Sequence, residues 1–98
     1  MTINKKIDGT KLYVEVIGRV DTMTVAEAES SMKGSLDGIT ELVLDFKKLD
    51  YISSAGLRWM LSMQKTMNKQ GSMKVINVND IVMEIFEVTG FSEILTVE

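Results

Sequence analysis

The chain has 98 residues and is 45% apolar, enough for one domain with a packed core. A net charge of −3 offers no basic footprint for a nucleic acid. Cysteine and histidine are both absent, which excludes disulfides, thiolate metal sites and the usual imidazole base, ligand and pH switch.

Met1 to Thr10 carries Lys5 and Lys6 but no apolar run, so no leader is expected. No stretch approaches the roughly 18 apolar residues that cross a bilayer. A cytoplasmic chain without membrane contact, monomeric when free, is the expectation. Asp8-Gly9-Thr10 lies between the alternating segments Ile3–Ile7 and Lys11–Ile17, a strong hairpin signal. Leu12, Val14 and Val16 share one face of the second strand; Tyr13, Glu15 and Ile17 share the other. Gly18 to Met23 is expected to end that strand and leave the sheet. Thr24-Val25-Ala26-Glu27 matches a capping box, which starts a helix at Thr24. Val25, Ala28, Met32 and Leu36 form its buried stripe, and Gly34 and Gly38 bracket its end.

Leu42-Val43-Leu44 reads as a short strand buried on both faces, closed by Asp45. Phe46 to Asp50 reads as a polar connection, and Tyr51-Ile52 returns to the apolar layer. After Ser53-Ser54-Ala55-Gly56 the apolar period becomes helical. Leu57, Met60, Leu61 and Met67 share a face with one polar member, Gln64; Arg58, Ser62, Lys65 and Lys69 lie opposite. Trp59 is expected as a partly buried flank. Gln70-Gly71 stops the helix, and Met73–Val78 is a further β-rich run. Asn79 or Asp80 caps a third helix bearing Ile81, Val82, Ile85, Phe86 and Val88, ended by Gly90. Ile94 to Val97 reads as a last short strand. The order β-β-α-β-α-β-α-β predicts one α/β domain over residues 1–98. Its mixed sheet of four to five strands is covered by about three helices.

The paired serines occupy the hand-over from strand to helix. A hydroxyl there either caps the helix or is presented to a partner, where the helix dipole tolerates a phosphate. The residues alone do not separate the two. Asp21, Asp45 and Asp50 also fall near strand ends, where turn caps are the ordinary role and a metal-binding phosphoaspartate site the alternative. No phosphate-binding loop or kinase-like set is present, and no cofactor or metal site is expected. A small enzyme using Ser54 as nucleophile with a lysine base is the remaining catalytic possibility, without any histidine to support it.

Four segments, "GRVDTMTVAEAE" from Gly18, "LVLDFKKLDYISSAGLRWML" from Leu42, "VNDIVMEIFEVTGF" from Val78 and the terminal "EILTV", resemble the STAS domain family, which includes bacterial anti-sigma factor antagonists. The resemblance spans nearly the whole chain and is most specific at Ser53-Ser54-Ala55-Gly56-Leu57. It implies a binding module rather than an enzyme. When unphosphorylated, such a module engages an anti-sigma factor serine kinase and frees its sigma factor. Phosphorylation two residues before the motif glycine, at Ser54, switches it off, and a 2C-type metal-dependent serine phosphatase resets it. The family's aspartate before the acceptor is Ser53 here, which makes Ser53 the second candidate acceptor. Arg19, Asp21, Ser53, Ala55, Gly56 and Arg58 are the expected kinase contacts. The alternative within the same family is an unphosphorylated scaffold or ligand-binding subunit of a signalling or transport assembly.

Overall fold

The computed structural model describes residues 1–98. Strands β1 (Thr2–Asp8) and β2 (Lys11–Val20) form the antiparallel hairpin, turned at Gly9 with a positive φ of 62°. Helix α1 (Val25–Met32) follows, then β3 (Glu41–Asp45), β4 (Leu49–Ile52), α2 (Ser54–Gln70), β5 (Ser72–Ile76) and α3 (Asp80–Thr89). A short 3-10 turn over Phe91–Glu93 precedes the terminus. The sheet runs β1-β2-β3-β5, with all pairings beyond the hairpin parallel. The mixed five-stranded sheet with three helices agrees with the expected fold class.

Register explains why this pattern packs. Leu12 lies beside Leu42 and Leu42 beside Met73; Val14 lies beside Leu44 and Leu44 beside Val75. These rows share one sheet face and join one core with Ala28 and Met32 of α1, Leu57, Met60, Met63 and Met67 of α2, and Val82 and Phe86 of α3. Burying each large apolar side chain contributes about 1.5–3 kcal/mol. Trp59 also belongs to this core at 4% exposure, deeper than the flank position expected for it. Its neighbours Ala55 and Gly56 are small and buried, which lets α2 sit close to the sheet.

Three elements depart from the sequence expectation. Strand β2 does not stop at Ile17 but continues through Gly18, whose positive φ of 98° accommodates an irregularity, to Val20. The stretch read as a polar connection already starts β4 at Leu49, parallel to that extension. Gly18 pairs with Leu49 and Arg19 with Tyr51, so Asp50 is an extra, unpaired residue. That bulge lets both Leu49 and Ile52 face the core although they are three residues apart. Finally, Ile94–Val97 forms no full strand; a single parallel bridge joins Val97 to Val75.

Helix α3 is capped at Asn79, whose Oδ1 accepts from the Val82 N–H at 2.8 Å while its Nδ2 donates to the Leu49 carbonyl at 2.8 Å. Gly90 ends it in the left-handed region at φ 81°. Only Val82 and Phe86 are fully buried, while Ile81 and Val88 face solvent. Gln64 is buried as its position on the apolar face required, with its Nε2 donating to Asn68 Oδ1 at 2.9 Å.

Candidate functional site

The ends of β2 and β4 lie side by side at one end of the sheet, and α2 springs from that rim. Val20 pairs with Ile52, and the Ser53 N–H donates to the Val20 carbonyl at 2.9 Å. Ser53 keeps extended backbone (φ −93°, ψ 177°) at the cap position of α2, and its carbonyl accepts the Leu57 N–H at 2.9 Å. Its hydroxyl makes no capping bond; the Oγ is buried and pairs with no group of the chain. The capping role weighed for the serines is therefore filled by neither side chain.

Ser54 is the first residue of α2 and is exposed. The first turn of α2 holds no acidic residue, so no carboxylate of that turn neutralises the positive end of its dipole. Gly56, two residues on, is buried for a steric reason. A Cβ there would lie 2.5 Å from Ile52 Cγ1 and 3.0 Å from Val20 Cγ1. The glycine thus sets how closely the serine-bearing turn approaches the strand ends. Ala55, at 5% exposure, and the buried Gly56 present little surface of their own. They shape the site from beneath. Arg58, one turn beyond Ser54, is exposed and pairs with no carboxylate. With Ala55 and Trp59 it lines a groove of about 650 Å³ between α1 and α2.

The facing lip is the β2–α1 loop. Asp21 Oδ1 accepts the Met23 N–H at 2.9 Å and the Thr24 N–H at 3.2 Å, and Oδ2 accepts Arg19 Nε at 3.2 Å. The Met23 amide, then Arg19 and Thr24, hold the Asp21 carboxyl below the usual carboxylate range against a desolvation that pushes it up. Thr24, expected to cap α1, does not. Its hydroxyl instead donates to the Arg19 carbonyl and accepts the Asp21 N–H, both at 2.9 Å. The loop is knotted around Asp21 because an Asx-type turn outcompetes the capping box. Arg19 also lies over the Tyr51 ring, 4.9 Å from its centroid. Tyr51 is a member of this rim that sequence reading missed, since the bulge that brings it opposite Arg19 leaves no periodic signal.

The other two aspartates are not part of the rim chemistry. Asp45 is buried at 5% on the opposite sheet face, where it accepts from the Tyr13 hydroxyl, from Asn77 Nδ2 at 3.0 Å and from the Lys47 N–H at 3.0 Å. Burial raises its pKa, but these hydrogen bonds and the Lys47 charge outweigh that and hold it below the usual range. The same contact pushes the Tyr13 hydroxyl up to about 12. Asp50 is the exposed bulge of β4. No three carboxylates converge as a group that could hold a metal ion. What the rim offers chemically is an exposed hydroxyl at a helix start whose first turn carries no acid, with Arg19, Asp21 and Tyr51 at the neighbouring strand ends and Arg58 one turn on.

Relatives of known description match this chain in sequence or in fold. BtrV of Bordetella bronchiseptica, described as a candidate anti-sigma factor antagonist, is 37% identical over 94 residues, covering 94% of this chain and 80% of its own length. The anti-sigma-B factor antagonist of Staphylococcus aureus is 28% identical over 90 residues, covering 89% of this chain and 83% of its own. The Bacillus anti-sigma factor antagonist SpoIIAA, solved in unphosphorylated and phosphorylated forms, superposes with TM-scores of 0.76 and 0.75 at 13% identity. These superpositions cover 99% of this chain and 87% and 91% of the two SpoIIAA chains. No helix is long and apolar enough to cross a membrane. The STAS domain family pattern matches residues 2–98, and the chain belongs to the STAS domain family.

Proposed function

We propose that this protein is an anti-sigma factor antagonist switched by phosphorylation of Ser54. Unmodified, it binds an anti-sigma factor serine kinase through the rim formed by Arg19, Asp21, Ser53, Ser54 and Arg58, and so releases a sigma factor. The kinase transfers phosphate to Ser54, and a 2C-type metal-dependent phosphatase removes it. The observation that carries this reading is the exposure of Ser54 at the start of a helix whose first turn lacks any acid. Phosphate adds about −1.5 to −2 charges at neutral pH, which a helix N-terminus accommodates, so the modified fold survives while the partner meets a bulky anion. Ser53 is the poorer acceptor because its Oγ is buried against the rim. The names of the relatives in Bordetella and Staphylococcus, and the phosphorylated form of SpoIIAA, support the same role.

The test is phosphate uptake. A kinase is purified from the native host by retention on the unmodified protein and incubated with it and Mg-ATP. Intact mass should rise by one phosphate, mapped to Ser54 by fragmentation, and should not rise for Ser54→Ala. Uptake at Ser53, or none at all with a bound kinase, overturns the switch and leaves the scaffold role.

A further inference from the structure

We infer that Tyr51, braced by Arg19 and Asp21, is the anchor by which the kinase recognises this protein before it acts on Ser54. The inference rests on the kinase-substrate reading above and adds the specificity determinant that reading lacks.

Tyr51 is 36% exposed at the end of β4, although its neighbour Ile52 is fully buried. Its ring does not float. Arg19, its partner in the parallel register, covers one side at 4.9 Å from the centroid. Arg19 is in turn fixed by Asp21 at 3.2 Å, and Asp21 by the amides of Met23 and Thr24. This chain of contacts runs outward from the loop backbone and ends on an aromatic ring that reaches solvent. An aromatic side chain already held in place loses little conformational freedom on association, which is the property of an interface anchor. The Arg19 charge is balanced by Asp21, so covering the patch does not bury an unpaired ion.

Geometry ties this anchor to the acceptor. Three peptide units separate Tyr51 from Ser54, so their Cα atoms lie within about 11 Å of each other. A partner of ordinary size covers about 800 Å² per side. A circular footprint of that area centred on Ser54 reaches roughly 16 Å in every direction. A partner footprint of that size centred on Ser54 therefore reaches Tyr51 as well. Met23, in the Asp21 turn, is a further exposed apolar side chain at 88%.

The test is steady-state phosphorylation by the purified anti-sigma kinase at saturating Mg-ATP, with this protein as varied substrate. Tyr51→Thr keeps a strand-forming side chain and removes the ring. It should raise KM at least tenfold with kcat within twofold of the parent, while Tyr51→Phe restores the parent KM. Arg19→Ala, which frees the ring, should raise KM severalfold. Titration calorimetry with the ADP-bound kinase should show the same order of affinities. Circular dichroism and melting establish that each variant is folded, and Tyr51→Val replaces Tyr51→Thr if the latter is not. A folded variant without the ring that keeps the parent's KM and affinity overturns the inference while leaving Ser54 phosphorylation intact. A parent that neither binds the kinase nor takes phosphate overturns the function itself.

Discussion

Gly56 gives the sharpest test of how the serine turn is held. A Cβ at this position would meet Ile52 Cγ1 at 2.5 Å, close to the root of a side chain with no exposure, and the equally buried Val20 at 3.0 Å. Neither contact falls on a flexible end with room to move. Overpacking of this kind costs about 1–3 kcal/mol, against which alanine gains about 1 kcal/mol over glycine in helix propensity. Gly56→Ala should therefore lose about 1 kcal/mol. Gly56→Val, with two more methyl groups and a smaller propensity gain, should lose about 3 kcal/mol. In a domain of this size 1 kcal/mol moves Tm by about 4–8 °C. Urea unfolding followed by the fluorescence of Trp59, the one tryptophan and a buried one, reads both values. An alanine variant that is as stable as the parent or more so would refute the close approach of α2 to β2 and β4.

Gly71→Ala should be costlier than Gly56→Ala, about 2 kcal/mol or more, because its Cβ would meet the Thr40 carbonyl oxygen at 1.9 Å; that carbonyl accepts the Ser72 N–H, so β5 must shift, visible as a lower urea midpoint. Asn79→Ala loses the α3 cap and the bond to the Leu49 carbonyl, a loss of about 2 kcal/mol by the same assay. The Tyr13–Asp45 contact predicts two pH windows. Tyr13 titrates higher folded than unfolded, so its stabilisation is complete below about pH 10 and disappears as pH rises towards about 12, a loss absent in Tyr13→Phe. Asp45 titrates lower folded than unfolded, so its stabilisation is present above the ordinary carboxylate range and fades as pH falls through its folded pKa, a fading absent in Asp45→Asn.

The parts of the fold that could be read in the sequence are those with a regular period or a marked turn. The hairpin at Asp8-Gly9, the inward row Leu12, Val14 and Val16, and the long apolar face of α2 all follow from alternation or helical spacing. Strand β4 was hidden because its bulge at Asp50 puts the inward residues Leu49 and Ile52 three apart, a spacing that breaks the alternation of a strand. The extension of β2 was hidden because Gly18 ordinarily ends a strand; here its positive φ carries the chain through the irregularity. Ser54 stood out by its motif, and Asp21 and Arg19 entered through the resemblance of the Gly18 segment to the family. Tyr51 did neither, since its role depends on a cross-strand partner that only the bulged register supplies. Helical spacing in α3 says which apolar residues share a face, not which are covered: Val82 and Phe86 are buried, Ile81 and Val88 exposed.

The central claim is that one exposed hydroxyl controls association without controlling the fold. Ser54 makes no capping bond, so Ser54→Ala should match the parent's stability to within about 0.5 kcal/mol. Ser54→Asp places a charge where the α2 dipole favours it and should be as stable or slightly more so, by about 0.3–1 kcal/mol. On the proposed reading the same charge would be buried at the kinase interface without a partner, at a cost of roughly several kcal/mol. The deciding measurement is calorimetric affinity of the purified kinase for these two folded variants. Ser54→Ala should bind like the unmodified parent and Ser54→Asp on the order of a hundredfold more weakly or worse; equal affinities for the two would contradict the switch.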